Sequence, residues 1–185
     1  MKSSKRNDEG FTGLEAAIVL IAFVVVAAVF SYVVLGAGFF TTQKAQETVY
    51  KGVEQSTANI QMIGNVYGLS TDNSTITTVT FVIGLAPSAP AMDLTKMKIV
   101  FSTPTTTPQI LTQTTVNAST ALFTTKIGTD AKTSMNANDQ VEILFSVTGV
   151  PANTKMNIEL RPSVGAALPF TKTAPATITN TNVLY

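Results

Sequence analysis

Few residues in this 185-residue chain have the types and spacing that chemistry requires. There is no Cys and no His, so thiol nucleophiles, the usual zinc ligands and the commonest general base are missing. Asp72 with Asn73, and Asp130 with Asp139, are too scattered to form a calcium loop. No phosphate-binding loop or dinucleotide fingerprint occurs. The sequence therefore predicts a protein that is not an enzyme and that has neither a metal site nor a cofactor.

Glu15 is the one ionisable residue in an unusual position, because it stands directly before a long apolar run. Thr12 and Glu15 have the T-x-x-E spacing of a capping box, which would give the carboxylate a structural role at a helix start. An ionisable group at the edge of an apolar span is also a functional candidate. The residues alone leave both roles open.

The apolar run itself extends from Ala16 to Phe40, and no charged residue lies between Glu15 and Lys44. About 20 apolar residues in a helix span the hydrocarbon core of a bilayer. Small residues within the run let helices approach closely. Three cations precede it and predict a cytoplasmic N-terminus with the rest of the chain exported: Lys2, Lys5 and Arg6.

The polar segment 1–10 is a candidate leader peptide. The apolar run is longer than the core of an ordinary secretory signal, and no clean cleavage site follows it. Cleavage before the run, between Gly10 and Phe11, would remove the leader and keep the apolar helix in the mature protein. The side-chain charges of the remaining chain would then balance. A neutral chain without a basic patch is unlike a nucleic-acid-binding protein.

The stretch GFTGLE, with Gly10, Phe11 and Glu15, resembles the processing region of type IV pilin-like subunits, which have class III signal peptides. The longer stretch FTGLEAAIVLIAFVVVAAVFSYVVLGAGFF resembles the N-terminal helix of archaellins, the archaeal flagellins. Archaellins usually carry Lys or Arg immediately before the cleavage glycine. This chain has Asp8 and Glu9 there.

The resemblance implies a structural subunit of the archaeal motility filament, which polymerises with copies of itself and lies outside the cell. It also implies residence in the cytoplasmic membrane before assembly, processing by a prepilin-type signal peptidase, and contact with the archaellum assembly and motor machinery at its membrane platform. Glu15 would pair with the free amine of Phe11. The expected filament-core residues are Ile18, Leu20, Val24, Ala28, Val33 and Leu35.

After the apolar run, residues 41–64 contain no Pro and place Val49, Val53, Ile60 and Ile63 at helical spacing. The helix is therefore expected to continue as an amphipathic segment to Gly64. This gives three parts: a leader over 1–10, a helix over 11–64 and a distal domain over 65–185.

The distal region is rich in Thr, punctuated by Pro, and shows short alternating runs typical of strands. It predicts an α+β protein whose long N-terminal helix precedes an all-β, immunoglobulin-like sandwich or barrel. The expected strands are Ile76–Leu85, Met97–Phe101, Ile110–Val116, Ala121–Ile127, Val141–Thr148, Lys155–Arg161 and Thr177–Leu184.

Two sequons, at Asn73 and Asn117, are candidate N-glycosylation sites on surface loops of an exported domain. Two further functions remain open at this level. One is an archaeal adhesion pilin built in the same way. The other is a membrane-anchored extracellular β domain that never polymerises.

Overall fold

The computed structural model describes residues 5–87 and 89–185, with side chains from residue 12 onward. Its contacts divide the chain into two units, one up to Tyr50 and the other from Lys51 to Tyr185. The first unit is helical. The second contains the end of the same helix and all of the β structure.

Helix α1 (Lys5–Thr57) has 53 residues. It begins inside the segment expected to be a polar leader, and it passes through Gly10 and Gly13, although each glycine costs a helix about 1 kcal/mol relative to Ala. Thr12 and Glu15 therefore lie within the helix in the intact chain. The capping-box interpretation is wrong for this form, because no helix end is present there for Thr12 to cap.

The expected helix end at Gly64 is also wrong, because α1 stops at Thr57 and strand β1 (Ile60–Leu69) follows. The Ala58 N–H donates to the Glu54 carbonyl at 3.0 Å as the last helical bond. The strand prevails over the helical spacing because it pairs with strands on both sides and buries Ile60. Gly64, at φ 76°, lies in a β-bulge of this strand.

The remaining elements are β2 (Ile76–Leu85), β3 (Met92–Asp93), a 3-10 turn (Leu94–Lys96), β4 (Lys98–Thr103), β5 (Thr106–Thr114), β6 (Leu122–Ile127), β7 (Asp130–Ala131), β8 (Ser134–Met135), β9 (Gln140–Val150), β10 (Lys155–Arg161), β11 (Leu168–Thr173) and β12 (Thr181–Leu184). The expected strands at Ile76–Leu85 and Lys155–Arg161 are confirmed with the same bounds.

One sheet contains nine of these strands in the order β11-β10-β4-β5-β6-β9-β2-β1-β12, and β7 pairs with β6 beside this path. All pairs in it are antiparallel except β5 with β6. Its ends meet, because Thr173 and Tyr185 exchange two backbone hydrogen bonds, at 2.7 and 3.2 Å. The prediction of a long helix before an all-β sandwich or barrel is confirmed, and the sheet takes the barrel-like form.

The inside of the barrel is filled by alternating apolar residues of these strands. Phe145 packs edge-to-face against Phe81 at 6.4 Å and against Phe101 at 5.8 Å between ring centroids. Phe170 packs on Phe81 at 5.4 Å. Phe170 belongs to β11, which the sequence did not predict, because Pro169 inside the run argues against a strand. Here the proline-containing strand lies at the end of the sheet.

Candidate functional site

The apolar length of α1 is exposed throughout the described part of the single chain. Every large apolar side chain from Leu14 to Val53 is between 52% and 81% exposed. Soluble monomers rarely expose contiguous apolar patches above a few hundred square ångströms, and larger ones mark interaction surfaces. Among the described residues, α1 is the one helix long and apolar enough to cross a membrane. We therefore take α1 as the candidate site.

The six expected filament-core residues all lie exposed on α1. At 100° per residue, Leu20, Val24, Ala28 and Leu35 fall on one side of the helix. Ile18 falls on the other side with Val33. The helix therefore does not gather them into one stripe, and it offers apolar surface in all directions. Such a helix needs neighbours or lipid on every side.

A notch of about 560 Å³ interrupts the helix surface beside Gly38. A Cβ added at Gly38 would meet no atom within 4 Å. Because Gly38 has no side chain, the helix surface there lets another helix approach closely. The sequence analysis selected only one of its lining residues, Leu35. The other residues that line the notch could have been recognised in the sequence by the glycine between Phe30 and Phe39. They are Phe30, Ser31, Val34, Phe39 and Thr42.

Two threonines extend the apolar surface beyond Phe40. The hydroxyls of Thr41 and Thr42 each donate, at 2.8 Å, to the carbonyl four residues earlier in the helix. The helix itself thus satisfies these polar groups. Charge begins only at Lys44, whose Nζ lies 2.7 Å from Glu47 Oε2. The apolar part of the site therefore ends just before Lys44.

The predicted processing and pairing residues lie at the start of this surface. Gly10 and Phe11 are helical, and the side chain of Phe11 lies outside the described side chains. The Glu15 side chain is exposed. Positions 11 and 15 are four residues apart and share a helix face.

The two sequon asparagines are exposed in loops of the barrel unit. Asn73 has φ 55° in the turn between β1 and β2. Beside it, the Asp72 carboxylate accepts backbone N–H bonds from Thr75 and Ser74, both at 3.1 Å. These bonds, with that from the Ser70 hydroxyl, lower the pKa of Asp72 from 3.8 to about 2. The turn is thus held by an ionised carboxylate, and the Asn73 side chain is accessible.

No group of three or more acidic, His or Cys side chains that could hold a metal is present among the described residues. Comparison with known proteins gives the identity. The archaeal-type flagellin family matches residues 10–172. The chain belongs to the archaeal-type flagellin family.

Two full-length likenesses agree with this membership. "Probable flagellin 1" of Archaeoglobus fulgidus is 38% identical over 195 residues, which cover 97% of this chain and 96% of that protein. The structure of the archaeal flagellum of Methanospirillum hungatei strain JF1 matches with a TM-score of 0.73 and 34% identity, over 94% of this chain and 99% of that one. A crystal structure of the flagellin FlaB1 of Methanocaldococcus jannaschii, at 16% identity and a TM-score of 0.60, shares the fold.

The family membership decides between the functions that the sequence left open. This flagellin-family chain is a structural subunit of an archaeal motility filament and is not an enzyme. Its exposed apolar helix is the natural candidate for the surface through which subunits join.

Proposed function

We propose that this chain is exported with a short leader, waits in the cytoplasmic membrane through α1, and then polymerises with copies of itself through that helix. The observation that carries the proposal is the uncovered apolar surface of α1, which is exposed on all sides in the single chain. Before assembly, lipid would cover it. In the filament, the same helices of neighbouring copies would take the place of lipid, with the barrel outside them.

The extent of this surface requires that it be covered, either by lipid or by neighbouring helices. Each buried apolar side chain of the size of Val, Leu or Phe contributes about 1.5–3 kcal/mol relative to exposure in water. Close packing among helices uses small residues and dispersion contacts, and the notch at Gly38 supplies a place for them. Extraction from lipid into a helix bundle therefore exchanges one apolar environment for another.

For the leader, we propose cleavage between Gly10 and Phe11 by a prepilin-type signal peptidase. The family match begins at residue 10, which supports a mature region starting there. The solved flagellum subunit is covered almost completely while about 6% of this chain is left outside the match, which is the size of a ten-residue leader. Glu15 would then pair with the new amine of Phe11 in the assembled helix bundle.

The barrel would form the outer surface of the filament, where Asn73 and Asn117 are accessible for N-linked glycans. The assembly and motor machinery would act at the membrane platform, so this chain needs no nucleotide site of its own. Each of these partners is part of the proposal.

The test is the N-terminal residue of protein from filaments sheared off cells that produce the chain. We expect Phe11. A Gly10→Val variant is expected to keep the leader and to stay in membranes. Gly13→Val, which places the same side chain at an open helical position one turn later, should be processed normally. Filaments that begin with Met1, or full processing of Gly10→Val, would refute the proposed cleavage.

A further inference from the structure

We propose that the barrel carries two unlike faces through which neighbouring copies in the filament bind each other. This proposal rests on the filament assembly described above. The first, the uncharged face, is the outer surface of β12, β1 and β2. The second, the outer groove, is a concavity on the outer surface of β4, β10 and β11. The occupant of the groove is the uncharged face of a second copy of this chain.

The uncharged face contains no charged residue in its strands, and it exposes apolar and aromatic side chains. Strands β1, β2 and β12 contain no Asp, Glu, Lys or Arg. In their register Tyr67 lies opposite Val183 on one side and Thr80 on the other. Tyr67 and Val183 are each 38% exposed, and Ile63 is 37% exposed. Depletion of charge around an exposed tyrosine is the composition of an interface core.

This face has a clear border. Strand β9 follows β2 in the sheet, and its Glu142 accepts a hydrogen bond from the Thr80 hydroxyl at 2.7 Å. Glu142 in turn lies opposite Lys126 of β6. Charged residues are therefore present on β9, the strand next to the uncharged face, so on this side the uncharged face ends at β2.

The outer groove has a volume of about 430 Å³. Register places Glu159 between Val100 and Pro169, and Asn157 between Ser102 and Thr171. The Thr171 hydroxyl donates to Asn157 Oδ1 at 3.0 Å. The Glu159 carboxylate accepts from Arg161 Nε at 2.9 Å. The groove thus combines apolar surface at Val100 and Pro169 with polar groups, including this carboxylate, which suits an aromatic ring with a hydroxyl tip. A tyrosine such as Tyr67 has both properties.

The two faces border each other where β11 meets β12, but they are centred on different strands, β10 and β1, so a contact between them joins two copies head to tail. Because β11 and β12 meet through Thr173 and Tyr185, β1 and β10 are three strand spacings apart, about 14 Å. Contacts between two unlike patches extend into an open helical filament when the rotation between copies does not close a ring, whereas a patch that pairs with itself closes a dimer. A filament subunit requires the first kind.

The absence of cysteine allows a direct test by cross-linking in sheared filaments. Tyr67→Cys and Asn157→Cys are combined in one chain. The spacing of about 14 Å exceeds the roughly 7 Å limit between Cα atoms for an internal disulfide. After mild oxidation, we expect non-reducing electrophoresis to show a ladder of dimers and longer multimers from the double variant. Each single variant should remain monomeric.

The matched control combines Tyr67→Cys with Lys126→Cys. Lys126 lies on β6, which is also three strands from β1 but on its other side. This control should give no ladder. A second pair, Ile63→Cys with Ser102→Cys, probes the same contact through different residues and should give the ladder even if replacement of Tyr67 weakens folding.

The possible results separate this contact from the assembly proposal. A ladder from the groove pairs alone supports the contact. Intact filaments without a ladder from either groove pair refute it and leave assembly through α1 standing. Dimers from Tyr67→Cys alone also refute it, because they show that the face pairs with itself. If the parent chain forms no filaments, both proposals fail.

Discussion

Replacement of Gly165 by Ala is expected to destabilise the barrel unit far more than the same change at Gly128. Both glycines have positive φ, 99° and 62°, so both substitutions carry backbone strain. They differ in their surroundings. A Cβ at Gly165 would lie 1.7 Å from the Ala58 carbonyl oxygen, whereas a Cβ at Gly128 would meet nothing within 4 Å.

The magnitude follows from what must move. The strain of a left-handed backbone at a non-glycine residue costs about 1–2 kcal/mol, and Gly128→Ala should cost no more than this. In Gly165→Ala, the Ala58 carbonyl must also retreat by more than 1 Å. Ala58 is only 1% exposed, and Asn59, next to it, accepts a hydrogen bond from the Ala86 N–H at 3.1 Å. Disturbing one or two such bonds adds about 2 kcal/mol.

The assay is thermal unfolding of the full chain in detergent, followed by circular dichroism. For a unit of this size, an excess of about 2 kcal/mol lowers the Tm by roughly 6–8 °C relative to Gly128→Ala. If the Tm values of the two variants lie within about 2 °C of each other, the close approach of Gly165 to Ala58 does not contribute to the stability of the barrel unit, and the reasoning is refuted.

Three further changes test other parts of the structure. Val24→Lys places a charge in the apolar helix at a cost of about 3 kcal/mol per subunit, so it should abolish surface filaments and leave the Tm of the barrel unchanged. The control Val24→Leu should still assemble. Normal filaments from Val24→Lys would contradict the role of the helix. Phe145→Ala should destabilise the barrel by about 3–5 kcal/mol in denaturant unfolding, whereas Phe23→Ala, on the exposed helix, should leave that transition in place. Asp72 has a pKa of about 2 in the folded chain, below its ordinary 3.8, so its stabilising contribution is present above about pH 4 and is lost as the pH falls towards 2. In Asp72→Asn, the Tm should therefore fall less between pH 4 and pH 2 than in the parent chain. The same pH dependence of Tm in both proteins would show that the carboxylate does not stabilise the turn.

Much of the architecture could be read from local pattern. The alternation in Ile76–Leu85 and Lys155–Arg161 predicted strands whose bounds the structure reproduces, because burial on one face dictates a period of two. By contrast, Ile60 and Ile63 fit a helical period, and only their pairing with Leu85 and Val82 of β2 shows that they belong to a strand. Strand β11 was missed for a similar reason, since the register that accommodates Pro169 is a property of the assembled sheet.

The features of the candidate site also fall into those that the sequence shows and those that depend on the fold. The apolar run, its missing charges and the Gly10–Glu15 stretch are local features, so the sequence by itself determined the long helix, the family resemblance and the structural role. The uncharged face around Tyr67 and the outer groove depend on which residues become neighbours. Only the tertiary structure decided these, because register and barrel closure bring together residues more than 100 positions apart, such as Gly68 and Asn182, and no local periodicity records such pairings.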